Sequence, residues 1–389
     1  MVRVISIIIL SLFHFLIRAQ TEVIPFEENQ GTIYIKVKVN EQKEELNFVF
    51  DTGASSTVFD ATTAKRLNVK GNTSTQATGA SGSASYEVAL SQSLEIGSTS
   101  LENVNLILTD LRALSRRSPV DIHGIIGNDL LLKYYTQIDY EAKTITLYDD
   151  VKQVRDLESY KEIDFEFNGV PIPMLDISLG LKNGKSFSGK VYVDTGARLS
   201  FLMNTPFAEE NNILEEVGNY ISNRAQTLNS STSFSRAAIR KMEFNGFEFG
   251  EMPIDIASSK TGVTGQKGVM GILGSVVLRR FNMVIDYKHK KMYLKPNRFY
   301  KDDFSFPRSG FSLVRKNDAV VVDGINPGSE ADEAGILPGD EVISINNTSG
   351  TLRTYRDILN NAANTTVLLK IKRKNGKIEE ISLELKRLI

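Results

Sequence analysis

The 389-residue chain contains no cysteine, which removes disulfides, a thiol nucleophile, thiolate metal sites and a lipid-modified N-terminal cysteine from consideration. Histidine is almost as scarce. His14, His123 and His289 are the three, and none has a second ligand at metal-site spacing, so no metal and no cofactor are expected. His123 and His289 read as ordinary surface or turn residues. Charge of one sign is also missing: 46 Lys+Arg stand against 47 Asp+Glu, net −1, with no long basic stripe to neutralise a phosphate backbone. Nucleic acid is not an expected partner. Beyond residue 20 no stretch is apolar for long enough to span a bilayer.

What is present is 41% hydrophobic and 24% charged, an ordinary composition for two or three globular units. Residues 1–20, MVRVISIIILSLFHFLIRAQ, place Arg3 before an apolar run to Ile17 and Ala19 before a plausible cut. This reads as a signal peptide rather than a stable transmembrane anchor, because Ser6, Ser11 and His14 interrupt a run already too short to span. An exported chain without disulfides fits a bacterial envelope, periplasmic or secreted.

The chain contains one long diverged duplication. LNFVFDTGASSTVF (46–59) and GKVYVDTGARLSFL (189–202) each run an apolar strand into Asp-Thr-Gly, at Asp51 and Asp194. Each follows an expected hairpin, the second turning at Asn183-Gly184. Farther on, GIIGNDLLLKYYTQIDYEAKTITLY (124–148) lies beside GILGSVVLRRFNMVIDYKHKKMYL (271–294). The Asp-to-Gly interval is 76 residues in one copy (51 to 127) and 80 in the other (194 to 274). From that Gly to the shared Ile-Asp-Tyr aspartate the interval is 12 in both (127 to 139, 274 to 286). Two motifs in one order at nearly one interval argue for two copies of a fold made mainly of short strands. The small, polar stretches 76–88 and 226–238 read as flexible hairpin tips.

Two carboxyls that share one proton can hydrolyse a peptide bond without metal, Ser-His or Cys-His, one as base toward water and the other as acid toward the carbonyl oxygen. Like charges so close titrate in two separated steps. Thr52 and Thr195 can hydrogen-bond across such a pair, while Gly53 and Gly196 allow the tight turns that aim backbone N–H groups at the carboxylates. One Asp-Thr-Gly is a weak signal. Two, each ending an apolar strand and each followed by apolar-apolar-Gly, are a strong one.

On these motifs residues 30–296 resemble the retropepsin and pepsin clan of aspartic peptidases. The resemblance implies a mainly β, bilobal fold with pseudo-two-fold symmetry, a cleft between lobes and a closing flap. It assigns Asp51 and Asp194 as the catalytic pair, supported by Thr52, Gly53, Thr195 and Gly196. Ile125-Ile126-Gly127 and Ile272-Leu273-Gly274 match the second motif, which packs beneath the catalytic loop. Ala54 and Ala197 stand where pepsins often carry an alcohol, as in retroviral enzymes. Arg198, opposite Ser55 of the first copy, is expected as a solvated or ion-paired surface residue, and Tyr86 in the first flap as a packing or exposed one.

From Phe306 the pattern changes: Gly328, Ala334-Gly335 and Pro338-Gly339-Asp340 punctuate strands and a short helix, and 354–363 suits a second helix. This α+β unit resembles a PDZ domain of envelope proteases, with Ser309, Gly310, Phe311 and Ser312 in the place of the carboxylate-binding loop. The resemblance implies that a peptide C-terminus adds as a strand beside Phe311 to Val314; the alternative is a groove blocked by the chain itself. The expected organisation is a signal peptide (1–20), an N-terminal lobe (21–155), a C-terminal lobe (156–298) and the PDZ unit (305–389). The expected function is an aspartic endopeptidase acting on polypeptides, with PDZ recruiting or regulating. The alternative is a non-catalytic peptide-binding protein of the same fold, or a scaffold whose cleft is filled by its own loop.

Overall fold

The computed structural model describes residues 22–79, 82–226, 231–361 and 365–389. The expected signal peptide lies outside them. Each copy of the duplication builds its own sheet. The first has eight strands and the second nine, and in both the apolar strand before the Asp-Thr-Gly runs through the middle. That placement explains its composition: a strand covered on both faces reads as a continuous apolar run instead of an alternating one. Phe48 and Phe50 of strand Leu46–Phe50, and Val191 and Val193 of strand Ser186–Asp194, are fully buried.

A third, six-stranded sheet joins the copies. At its centre Tyr135–Asp139 pairs antiparallel with Phe281–Asp286, Thr136 opposite Ile285, Gln137 opposite Val284 and Ile138 opposite Met283. Ile138 and Ile285 are equivalent in the duplication, so this register maps onto itself when the copies are exchanged. The pairing therefore defines a pseudo-two-fold axis through Gln137 and Val284. One apolar core, including Phe50, Ile138, Val193, Phe281 and Ile285, runs through both lobes.

Each lobe carries a long hairpin. In the first, Thr73–Gly79 pairs with Gly82–Ile96 from Thr73/Val88 to Gly79/Gly82. Ser83, Ser85 and Glu87 are exposed while Ala84 and Tyr86 are half-buried, so Tyr86 shares the covered face. In the second, Tyr220–Gln226 pairs with Ser231–Ile239. The stretches expected as flexible tips are thus mostly ladder, because small polar residues still complete backbone hydrogen bonds; only 80–81 and 227–230 lie outside the described residues.

The C-terminal unit is a five-stranded antiparallel sheet with its own core and two helices, Glu330–Glu333 and Leu352–Asn361. The second helix begins two residues before the expected start. Buried Asp340 holds the Pro-Gly-Asp turn, accepting from Leu337 N at 2.8 Å and from Arg373 at 2.7 Å. The unit is docked on both lobes. Ile389 and Phe306 pack with Ala238 and Ile221, and Arg387 pairs with Glu251 at 2.6 Å.

Candidate active site

The two half-sites meet at the pseudo-two-fold axis. Strand Leu46–Phe50 ends at Asp51 and pairs in parallel with Gly124–Ile126; strand Ser186–Asp194 pairs in parallel with Gly271–Gly274. The loops that follow are locked to each other by buried threonines. Thr52 N donates to Thr195 Oγ1 and Thr195 N to Thr52 Oγ1, both at 3.1 Å. Each hydroxyl in turn donates across the axis, Thr52 to Val193 O at 2.8 Å and Thr195 to Phe50 O at 3.1 Å. Both N–H groups and both hydroxyls of this exchange are satisfied, and a satisfied network of this kind rigidifies the junction of the two loops.

That lock brings the carboxyls together. A Cβ on Gly53 would lie 2.5 Å from Asp194 Cγ, and one on Gly196 would lie 2.4 Å from Asp51 Cγ. Only glycine leaves room for the opposing carboxylate at either position. Gly53 N donates to Asp51 Oδ1 at 2.7 Å, while Gly196 N and Ala197 N both donate to Asp194 Oδ1 at 2.8 Å. Both aspartates, taken as whole residues, keep some solvent-accessible surface.

Enclosure raises both carboxyls above the ordinary aspartate range. Asp51 is raised the more. Burial is the main cause, followed by the charge of Asp194 and the hydrogen bond between them, against weaker opposition from the N–H groups of Gly53 and Ala54. At Asp194 burial is opposed by the hydrogen bond from Asp51 and by the N–H groups of Ala197 and Gly196. The pair therefore holds one proton between its two carboxyls to higher pH than a lone aspartate would.

The second motif supports the loops from below. Ile126 and Leu273 are fully buried. A Cβ on Gly127 would lie 2.6 Å from Ser56 O, and one on Gly274 would lie 2.2 Å from Leu199 O, so glycine is required for the close approach. Asn128 N then donates to Ala54 O at 3.0 Å and Ser275 N to Ala197 O at 2.8 Å. Four supporting residues were not anticipated. Asn128 accepts from Tyr287 OH at 2.9 Å, and Asp129 Oδ2 accepts from Thr57 Oγ1 at 2.7 Å. The phenol of Tyr287 is raised by burial and then by the charge of Asp51, which places it near the pair. The signal available in sequence was the Ile-Asp-Tyr repeat itself.

Arg198 departs from expectation. It is only partly exposed and, among the described residues, has no ion pair or hydrogen bond; burial lowers its guanidinium from the ordinary arginine value. His123 accepts from Asn47 N at 3.1 Å and His289 lies 2.7 Å from Asp286; neither joins the site. Among the described residues no group of three or more His, Cys, Asp or Glu side chains could hold a metal ion, and no helix is long and apolar enough to cross a membrane.

In the C-terminal unit, Ser309 Oγ donates to Phe311 O at 3.0 Å, Asn326 N donates to Gly310 O at 2.7 Å, Phe311 is buried and Ser312 exposed. Strand Phe311–Lys316 is the sheet edge. That strand is engaged by the chain itself. Arg356 of helix Leu352–Asn361 donates to Leu313 O and to Arg117 O, both at 2.9 Å. Arg315 donates to Ser118 O, Ser115 O and Asp121 at 2.7 to 2.9 Å. The first-lobe segment that begins with helix Arg112–Arg117 therefore lies against the strand expected to receive a peptide.

Residues 321–373 match the PDZ domain family. No curated protein sequence matches the chain. Among solved structures, the aspartic proteinase from Irpex lacteus is similar at 14% identity and a TM-score of 0.45, over 73% of this chain and 99% of that one. Residues 35–130 and 179–277, half of the chain, match the aspartyl protease family, and they include both Asp-Thr-Gly loops and both glycines beneath them; the chain belongs to that family.

Proposed function

We propose that the protein is an aspartic endopeptidase that hydrolyses polypeptides with a water activated between Asp51 and Asp194. The observation that carries this reading is the contact of the two carboxyls across the threonine lock, each held by backbone N–H groups of its own loop. The ionised carboxyl of the pair takes a proton from the water as the water oxygen attacks the carbonyl carbon; the protonated carboxyl gives its proton to the carbonyl oxygen. The tetrahedral adduct then collapses as a proton passes to the nitrogen and the C–N bond breaks. The chain's own groups suffice for every proton in this sequence.

The PDZ unit is assigned a regulatory role over recruitment of free C-termini, since Arg315 and Arg356 already hold its edge strand against the first lobe. The N-terminal pattern supports export to a bacterial envelope. The test of the main reading is a peptide-library digest by wild type beside Asp51→Asn. Cleavage by the first and none by the second supports it; retained binding without cleavage by either would favour a peptide-binding protein.

A further inference from the structure

The two copies place different residues directly after the supporting glycine, Asn128 in the first lobe and Ser275 in the second. Ser275 works within its own lobe, its Oγ donating to Ala197 O at 3.0 Å. Asn128 is fully buried, and its side chain reaches out of its lobe. Its Oδ1 accepts from Tyr287 OH at 2.9 Å and its Nδ2 donates to Pro171 O, so both partners belong to the second lobe. Pro171 O can only accept, which fixes the end of the amide that faces it. Both partners are themselves held. The Tyr287 ring is buried and packs on Phe165 and Phe167 with centroids 5.7 and 5.4 Å away, and Pro171 lies in the turn closed by the Glu166–Met174 bridge.

The backbone of Asn128 faces the catalytic loop. Its N–H donates to Ala54 O at 3.0 Å, and a Cβ on Gly127 would lie 2.7 Å from that same oxygen. The N–H of Ala54, with that of Gly53, opposes the upward pull of burial on Asp51. One buried side chain therefore links two segments of the second lobe to a residue that stabilises the charged form of Asp51. In the other half-site the tie is built differently. A Cβ on Gly31 of the first lobe would lie 2.5 Å from Ser275 O, and Tyr140, the equivalent of Tyr287, donates to Gly31 O at 3.2 Å. There the opposite lobe meets Ser275 through its backbone.

We propose that Asn128 is a positioning residue for Asp51: by tying Tyr287 and Pro171 of the second lobe to the loop that carries Asp51, it sets how that carboxyl meets Asp194. The kinetic consequence rests on the peptidase reading, whereas the effect on Asp51 itself does not. Without the amide, the Tyr287 hydroxyl and the Pro171 carbonyl are buried without their partner, and the loop shifts as the site relaxes around them.

The test compares wild type, Asn128→Ala, Asn128→Ser and Tyr287→Phe in the full chain. On one peptide, Asn128→Ala should lower kcat by about tenfold or more with KM nearly unchanged, as a misplaced reacting group does. Its pH profile should move to higher pH, because a displaced Ala54 N–H no longer opposes the rise of Asp51. Tyr287→Phe keeps the ring and loses one hydroxyl, and should show a smaller change of the same kind. Asn128→Ser copies the second lobe, and its hydroxyl should recover part of kcat by holding Ala54 O. The state of Asp51 is also read without catalysis, by melting each protein beside its Asp51→Asn counterpart. The gap between the two opens as pH rises and levels off where the folded-state carboxyl has ionised. Asp194, the titratable group that acts on Asp51, is present throughout. That levelling pH should be higher in Asn128→Ala than in wild type, and Tyr287→Phe carries the same comparison if Asn128→Ala does not fold. Unchanged kcat, or a lost kcat with pH profile and levelling pH unmoved, overturns the positioning role and leaves the peptidase reading standing. If wild type cleaves nothing, the peptidase reading falls; a levelling pH moved upward then supports the role of Asn128, and an unmoved one overturns it.

Discussion

The two half-sites share a backbone and differ in their surroundings. Their threonines exchange hydrogen bonds of equal length, and the same strand pairing and the same glycine lie beneath each loop. Yet Asp194 Oδ1 receives two backbone N–H groups at 2.8 Å where Asp51 Oδ1 receives one at 2.7 Å. The residue that follows the Ala is Ser55 on one side and an enclosed Arg198 on the other. The lock demands symmetry because each loop is the other's hydrogen-bond partner. The chemistry demands asymmetry because one carboxyl must be acid while the other is base.

The largest expected effect comes from breaking the pair itself. Asp51→Asn and Asp194→Asn should each lower kcat/KM at least about 10³-fold on one peptide, since neither acid nor base acts alone. A variant retaining a tenth of wild-type turnover would show that its carboxyl is outside the chemistry. Next come the glycines: Gly127→Ala and Gly274→Ala should each destabilise by about 1–3 kcal/mol in urea unfolding. Gly274→Ala should be the worse, because its Cβ would meet a backbone carbonyl at 2.2 Å against 2.6 Å. The reverse order would mean that the loops yield differently from their packing.

A smaller effect sharpens the electrostatic difference. Asp51 is raised in the folded state, so folding takes up a proton and the associated stability, present at low pH, is lost as pH rises through the folded-state value. Asp51→Asn lacks that loss. Its melting temperature should exceed the wild type's at neutral pH, and the gap should close as pH falls below the ordinary aspartate value of about 4. A gap that widens on acidification would contradict a carboxyl raised by folding at this position. The smallest effect is at the PDZ contact: Arg315→Ala should cost roughly 0.5–1 kcal/mol. Hydrogen exchange at residues 115–121 should speed up while the PDZ core stays protected.

The duplication was legible in sequence because it is written in motifs that backbone geometry requires. Gly53 and Gly196 cannot be replaced without closing the space the opposing carboxylate needs. Apolar runs before each Asp foretold strands covered on both faces. The reach of Arg356 to the Arg117 carbonyl was not legible, since 239 residues separate them and only the docking of the PDZ unit brings them together. The Ile-Asp-Tyr repeat marked Tyr287 as shared by the two copies, but its bond to Asn128 was missed because the two residues are far apart in sequence and meet only through the fold. The engaged PDZ edge follows from Arg315, which nothing in its own segment marks as reaching the first lobe.

The claim that these two carboxyls make a working peptidase is tested most directly by incubating the purified full chain with an unbiased peptide library under chelator and reading the products by mass spectrometry. Cuts at internal peptide bonds, absent from the Asp51→Asn control, are the predicted result. Intact peptides recovered at every pH from acidic to neutral, while still bound by the protein, would contradict it.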